Sequence, residues 1–191
     1  ASELLATLDR ETPMLRLPEN SLNELLPGDS PFVQSFLNPT MASNGIRAYL
    51  LNDDYCVLLA SLLNRLHDSL DIDIRLIIPN VTFEGELSVF KTALEGHGCD
   101  LDNFEFGIEV TSVAPLLELN KVMSESSFCI LNVTAINEML IGVGKRELEK
   151  VQEAYRIHGF PIPDLTDTTL IHQLLKLKQS KQELPRLFAM N

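Results

Sequence analysis

Two short runs in this chain, Leu76-Ile-Ile78 and Phe128-Cys-Ile-Leu131, are apolar at every position. A strand with one wet face alternates apolar and polar residues, so an unbroken run marks a strand buried on both faces. A third run, Phe104 to Val110, lies between them, and each run is followed by a segment with helical spacing. Crossovers of that length join parallel strands. The pattern therefore restricts the chain to a parallel β/α protein.

The rest of the chain is read around these strands. Pro13 to Leu17 is a further strand, stopped by Pro18, and Ile72 to Ile78 is the full span of the first run. Helices are expected at residues 2–10 and around Leu22 to Leu26, then at Gly45 to Leu51 and Tyr55 to Leu70. In the last of these, Leu58, Leu59, Leu62, Leu63 and Leu66 fall at spacings of three and four, with Asp53 or Asp54 as cap. Phe83 to Gly96 is a helix capped by Thr82, with Leu87, Phe90 and Leu94 on one face. Ala114 to Ser124, Lys145 to His158 (closed by Gly159) and Thr168 to Gln179 complete the helices. Phe128 to Val133 is the last clear strand, while Ile136 to Gly142 and Leu184 to Met190 fit no single assignment.

The net charge of −12 argues against a nucleic-acid partner, because such binding depends on Lys and Arg neutralising phosphates. The one basic cluster, Lys176 to Lys181, reads as the solvated end of a helix. No apolar run approaches the ~20 residues of a membrane span, and no leader pattern is visible, so a cytoplasmic protein with no membrane partner is expected. Three separated cysteines, Cys56, Cys99 and Cys129, give neither a disulfide framework nor a structural zinc pattern. His97 and Cys99 are too few to hold a metal. Asn80-Val-Thr82 and Asn132-Val-Thr134 match glycosylation sequons but adjoin strands, and are read as chance.

Five short motifs in order carry a resemblance. They are Leu15-Arg16-Leu17 with Asn20 and Asn23-Glu24 after it, Asn38-Pro39 followed by Gly45-Ile-Arg47, Arg75-Leu-Ile-Ile-Pro79, Glu109-Val-Thr-Ser-Val-Ala114, and Phe128-Cys-Ile-Leu131. Together they resemble the phosphoenolpyruvate-binding (β/α)₈ barrel of the PEP-utilising enzymes, a group that includes PEP synthase, pyruvate phosphate dikinase and enzyme I of the sugar phosphotransferase system. The resemblance spans residues 13–146 of a single domain, 1–191, with a helical C-terminal segment at 147–191. It implies an incomplete or modified TIM-barrel-like fold.

In that family arginines hold the phosphate and carboxylate of PEP, since guanidinium forks pair with both groups. A Glu and an Asp bind Mg²⁺. The resemblance places Arg16, Arg47 and Arg75 on ligand-binding arginines, with Arg146 standing for a fourth at a two-residue offset. It places Glu109 on the metal-binding Glu and Asn132 on a neighbouring Asn. The departures are large. Asn44 replaces an arginine, Val133 or Thr134 replaces the metal-binding Asp, and no Cys-Gly-Glu segment supplies the family's proton donor.

The resemblance therefore implies a degenerate homologue without phosphotransferase activity alone, binding a small phosphorylated or carboxylate ligand, with Mg²⁺ as a possible cofactor. Two alternatives stand beside it: an active PEP- or pyruvate-handling phosphotransferase component, and an interaction scaffold with no ligand. The residues also admit plainer roles. Arg47 fits a solvated side chain paired with a surface acid, Arg16 an anchor for backbone carbonyls, and Glu109 a cap for the helix after it. Arg75 opens its strand, at the end away from a barrel's active face, but the resemblance favours a ligand role and makes it the first choice among the arginines, so that ligand binding is expected to depend on it. With four to six strands in place of eight, exposed sheet edges lead to an expected homo-oligomer, a protein partner, or a longer parent chain.

Overall fold

The computed structural model describes residues 13–19, 44–70, 73–144, 147–161, 164–178 and 187–190. Arg146, Asn20, Asn23, Glu24, Asn38 and Pro39, and the helices expected at 2–10 and 22–26, lie outside these residues. Five parallel strands form one sheet in chain order: β1 (Met14–Arg16), β2 (Ile74–Pro79), β3 (Phe104–Val110), β4 (Phe128–Asn132) and β5 (Leu187–Met190). Between β1 and β2 lie α1 (Ile46–Leu51) and α2 (Asp53–Leu70), and α3 (Glu86–Gly96) leads to β3. Two short helices, α4 (Val113–Leu117) and α5 (Leu119–Val122), lead to β4. Then come α6 (Val133–Ile141), α7 (Leu148–His158) and α8 (Thr169–Lys178) before β5. The protein is a parallel β/α fold.

The two faces of the sheet differ. Leu17, Leu76, Ile78, Phe106, Ile108, Val110, Cys129 and Leu131 all point to one face and join a single core with residues from α1 to α6 and α8. Phe90, Leu87 and Leu94 supply the α3 contribution, as their spacing predicts. Each fully buried side chain of this size is worth about 1.5–3 kcal/mol. The opposite face carries a separate cluster of Ile77, Phe128 and Ile130. Among the described residues no core helix joins that cluster. Among the described residues the sheet is laid down in chain order with its core helices on one face. No pairing joins β1 to β5 among the described residues.

Several expectations change. In α2 the buried stripe is Cys56, Leu59, Ala60 and Leu63, while Leu58 and Leu62 are more than half exposed. At 100° per residue the buried arc is centred between Leu63 and Cys56, which leaves Leu58 and Leu62 outside its edge. The side chain nearest the start of α2 that accepts a backbone N–H is Asn52, whose Oδ1 takes the N–H of Asp54 at 3.1 Å. At α3 the capping is inverted: Glu86 Oε2 accepts the backbone N–H groups of Thr82 (2.6 Å) and Phe83 (3.0 Å).

The helix expected over 114–124 is divided at Glu118, whose backbone leaves the helical region. The ambiguous stretch after β4 is helix α6. Asn132 ends β4 and caps α6 by accepting the Ala135 N–H at 3.0 Å, and Gly142, at φ 74°, ends it. The C-terminal segment is not wholly helical, since Leu187–Met190 adds a fifth strand alongside β4. Among the described residues no helix is long and apolar enough to cross a membrane.

Candidate functional site

The carboxyl ends of β1, β3 and β4 bring together three of the residues singled out by sequence. Register aligns Arg16 with Ile77, Ile77 with Gly107, and Gly107 with Phe128. Side chains in that row share a face, as do those two and four residues further on. Glu109 is two residues beyond Gly107, and Asn132 is four beyond Phe128, so all three polar groups belong to the face opposite the main core. Ends of parallel strands gather polar groups in this way because the chain must leave the sheet there.

Glu109 is the centre. Its side chain is fully buried. Arg16 Nε donates to Oε2 at 2.7 Å, and Asn132 Nδ2 donates to Oε1 at 2.9 Å. A buried carboxylate needs such compensation for lost hydration. Glu109 thus holds Arg16 and does not cap α4, whose N-cap residue is Ser112. Among the described residues Arg16 is bound to carboxylates and not to carbonyls. Its Nη2 donates to Glu19 Oε2 at 2.5 Å. Burial opposes its charge, but the hydrogen bonds it donates to Glu109 and Glu19 and their negative charge outweigh that, and its pKa is raised.

Glu19 was not singled out by sequence. Arg16 and Glu19 are three apart at a strand end, where that spacing has no pairing rule of the helical kind. The backbone supplies the position. Leu17 N–H donates to Ile77 O at 3.0 Å, and Gly45 N–H donates to Glu19 O at 3.3 Å. Gly45, at φ 57°, lies so close to the end of β2 that a Cβ there would sit 2.6 Å from Pro79 O and 2.7 Å from Asn80 Cβ.

Asn80 follows β2 with φ 61°, is buried, and accepts from the Thr111 hydroxyl. Its Nδ2 is buried with no hydrogen-bond partner. Both sequon asparagines are thus engaged in packing or capping.

Arg47, on α1, donates from Nη2 to Thr82 Oγ1 at 2.9 Å, with its Nε 3.9 Å from Glu86 Oε1. It stands at the carboxyl end of β2. Arg75 stands at the other end of the same strand, where Nε meets Glu105 Oε2 at 2.5 Å. Four residues separate Glu105 from Glu109, about 13 Å along a strand. The structure therefore does not bring Arg75 to the Arg16–Glu109–Asn132 group.

A divalent cation does not fit this donor set unaided. Mg²⁺ wants oxygen ligands in octahedral array. Both oxygens of Glu109 already accept hydrogen bonds, one from a guanidinium, and Asn132 Oδ1 caps α6. No group of three or more His, Cys, Asp or Glu able to hold a metal occurs among the described residues. His97 Nε2 lies 2.7 Å from Asp53 Oδ1, linking the end of α3 to the start of α2. All three cysteines are free and buried. Burial pushes the Cys129 thiol up to about 12.

No family model matches the chain. A search of curated proteins likewise finds no match.

Proposed function

We propose that this chain is a degenerate relative of the PEP-utilising barrels that binds a small carboxylate- or phosphate-bearing ligand of the PEP and pyruvate class, and that transfers no phosphoryl group on its own. The observation that carries the reading is the Arg16–Glu109–Asn132 group at the carboxyl ends of three parallel strands. Arg16 keeps N–H groups beyond the two spent on Glu109 and Glu19, and its side chain is one-third exposed. A guanidinium fixed by a buried carboxylate is pre-organised to meet an anion, which lowers the entropic cost of binding.

Internal departures support the non-catalytic half. The position that resembles the metal-binding Asp falls on Val133 or Thr134, at the start of α6. Asn44 stands where the resemblance calls for an arginine. Phosphoryl transfer needs positioning and charge neutralisation together, and neither residue supplies charge.

Isothermal titration with oxalate, pyruvate and PEP, with and without Mg²⁺, tests the reading. Binding in the micromolar-to-millimolar range is expected, lost in Arg16→Gln, retained in Arg75→Gln, and little changed by Mg²⁺. Absence of binding to all three ligands overturns the ligand-binding half. Turnover of PEP by the isolated chain overturns the other.

A further inference from the structure

The charge at the group is the wrong sign for an open anion site. Arg16 contributes one positive charge, and Glu109 and Glu19 contribute two negative ones, all within direct hydrogen-bonding distance. The two acids are not equivalent. Glu109 is fully buried and is also held by Asn132. Glu19 has a side chain 41% exposed, and its carboxylate has one described partner, Arg16.

Glu19 is nonetheless placed and not merely adjacent. The bonds from Leu17 to Ile77 and from Gly45 to Glu19 O fix the backbone on either side of Pro18. The carboxylate takes Nη2, the nitrogen shared by both forks of a guanidinium. A carboxylate or phosphate pairing bidentately with Arg16 uses an N–H of that same nitrogen, so it meets the Glu19 carboxylate there.

We propose that Glu19 is a built-in pseudo-ligand that occupies the anion seat of Arg16, so that a small dianionic carboxylate or phosphate binds by displacing it. This rests on the reading that Arg16 faces a ligand. Half-exposed ion pairs are weak, so the contact yields to a competing anion while discouraging weak ones. Displacement also relieves the net negative charge that an incoming dianion would otherwise meet. Glu109 stays in place and keeps the guanidinium oriented.

The test compares oxalate binding by isothermal titration in the wild type, Glu19→Gln, Glu19→Ala and Arg16→Gln, with thermal melting of each to show that it is folded. Both Glu19 variants are expected to bind oxalate about three- to tenfold more tightly than wild type, the range that loss of one such ion pair and one like charge corresponds to. Binding by the Glu19 variants where the wild type shows none has the same meaning in stronger form. Affinity unchanged or weakened in both Glu19 variants, with Arg16→Gln still abolishing binding, overturns the role of Glu19 and leaves the ligand site standing. No binding of oxalate, pyruvate or PEP by wild type or by either Glu19 variant overturns both.

Discussion

The ring of Phe128 lies across Gly107, its register partner on the neighbouring strand, so closely that a Cβ at position 107 would come 2.1 Å from ring atom Cε2. The ring uses the missing side chain to pack with Ile77 and Ile130 on the face that also carries Glu109. Gly107→Ala is therefore expected to destabilise the protein by about 1–3 kcal/mol, the usual cost of overpacking. Urea unfolding measures it. Adding Phe128→Leu should restore part of the loss; a single Gly107→Ala variant as stable as wild type would falsify the packing described.

Removing the buried acid should cost more than removing an exposed one. In Glu109→Ala, Arg16 Nε and Asn132 Nδ2 both lose their acceptor. Because Arg16 is one-third exposed, we expect about 1–3 kcal/mol, below the 3–5 of a fully buried pair. Glu19→Ala should change stability by less than about 1 kcal/mol. Equal unfolding midpoints for the two variants would contradict the burial difference.

Asn132→Asp keeps the cap on α6 but sets a carboxylate against Glu109. Like charges at that distance raise the pKa of the pair. A raised folded-state pKa contributes stability below the unfolded value that is lost as pH rises through the folded one. The variant should thus be less stable than wild type at pH 7, and the gap should narrow as pH falls toward about 5. Midpoints compared across pH decide it; a gap that is flat or widens on acidification counts against the contact.

The Cys129 thiol, pushed up to about 12 by burial, makes an alkaline prediction. The unfolded chain releases this proton from about 9, while the folded one holds it. Stability is full below pH 9 and falls as pH rises toward 12, by up to about 1.4 kcal/mol per pH unit for this group. Cys129→Ala should lower stability at pH 8 through lost packing yet show a shallower decline between pH 9 and 11. Parallel declines in the two proteins would remove Cys129 as a cause.

The leucines of α2 separate into two classes. Leu59→Ala and Leu63→Ala are each expected to cost about 2–4 kcal/mol, whereas Leu58→Ser and Leu62→Ser should stay within about 0.5. A large loss at Leu58 or Leu62 would show that this face is covered.

How far the sequence reveals this protein follows from the range of each interaction. Strand β3 has the bounds expected of it, because Phe104, Phe106, Ile108 and Val110 alternate along it and all face the core, a period that neighbouring residues display. The helix faces are less legible: Leu58 and Leu59 are equally apolar, and which one meets the sheet depends on how α2 lies against α1 and α3. Strand β5 is four residues long and takes its state from β4, so no local period announces it. The site divides in the same manner. Arg16 and Glu109 were picked out by motif, but their bond spans 93 residues and has no local signature. Glu19 left no signal, because its placement comes from backbone bonds to β2 and Gly45.

The order β1-β2-β3-β4-β5 has a consequence for how the molecule is made. Each strand pairs with the one before it, so a chain emerging from a ribosome finds the partner for every new strand already synthesised. Among the described strands none waits for a distant one to be inserted between its neighbours. Assembly can advance by accretion from the amino end, and shortening the chain from its carboxyl end removes pairings one at a time without scrambling those that remain.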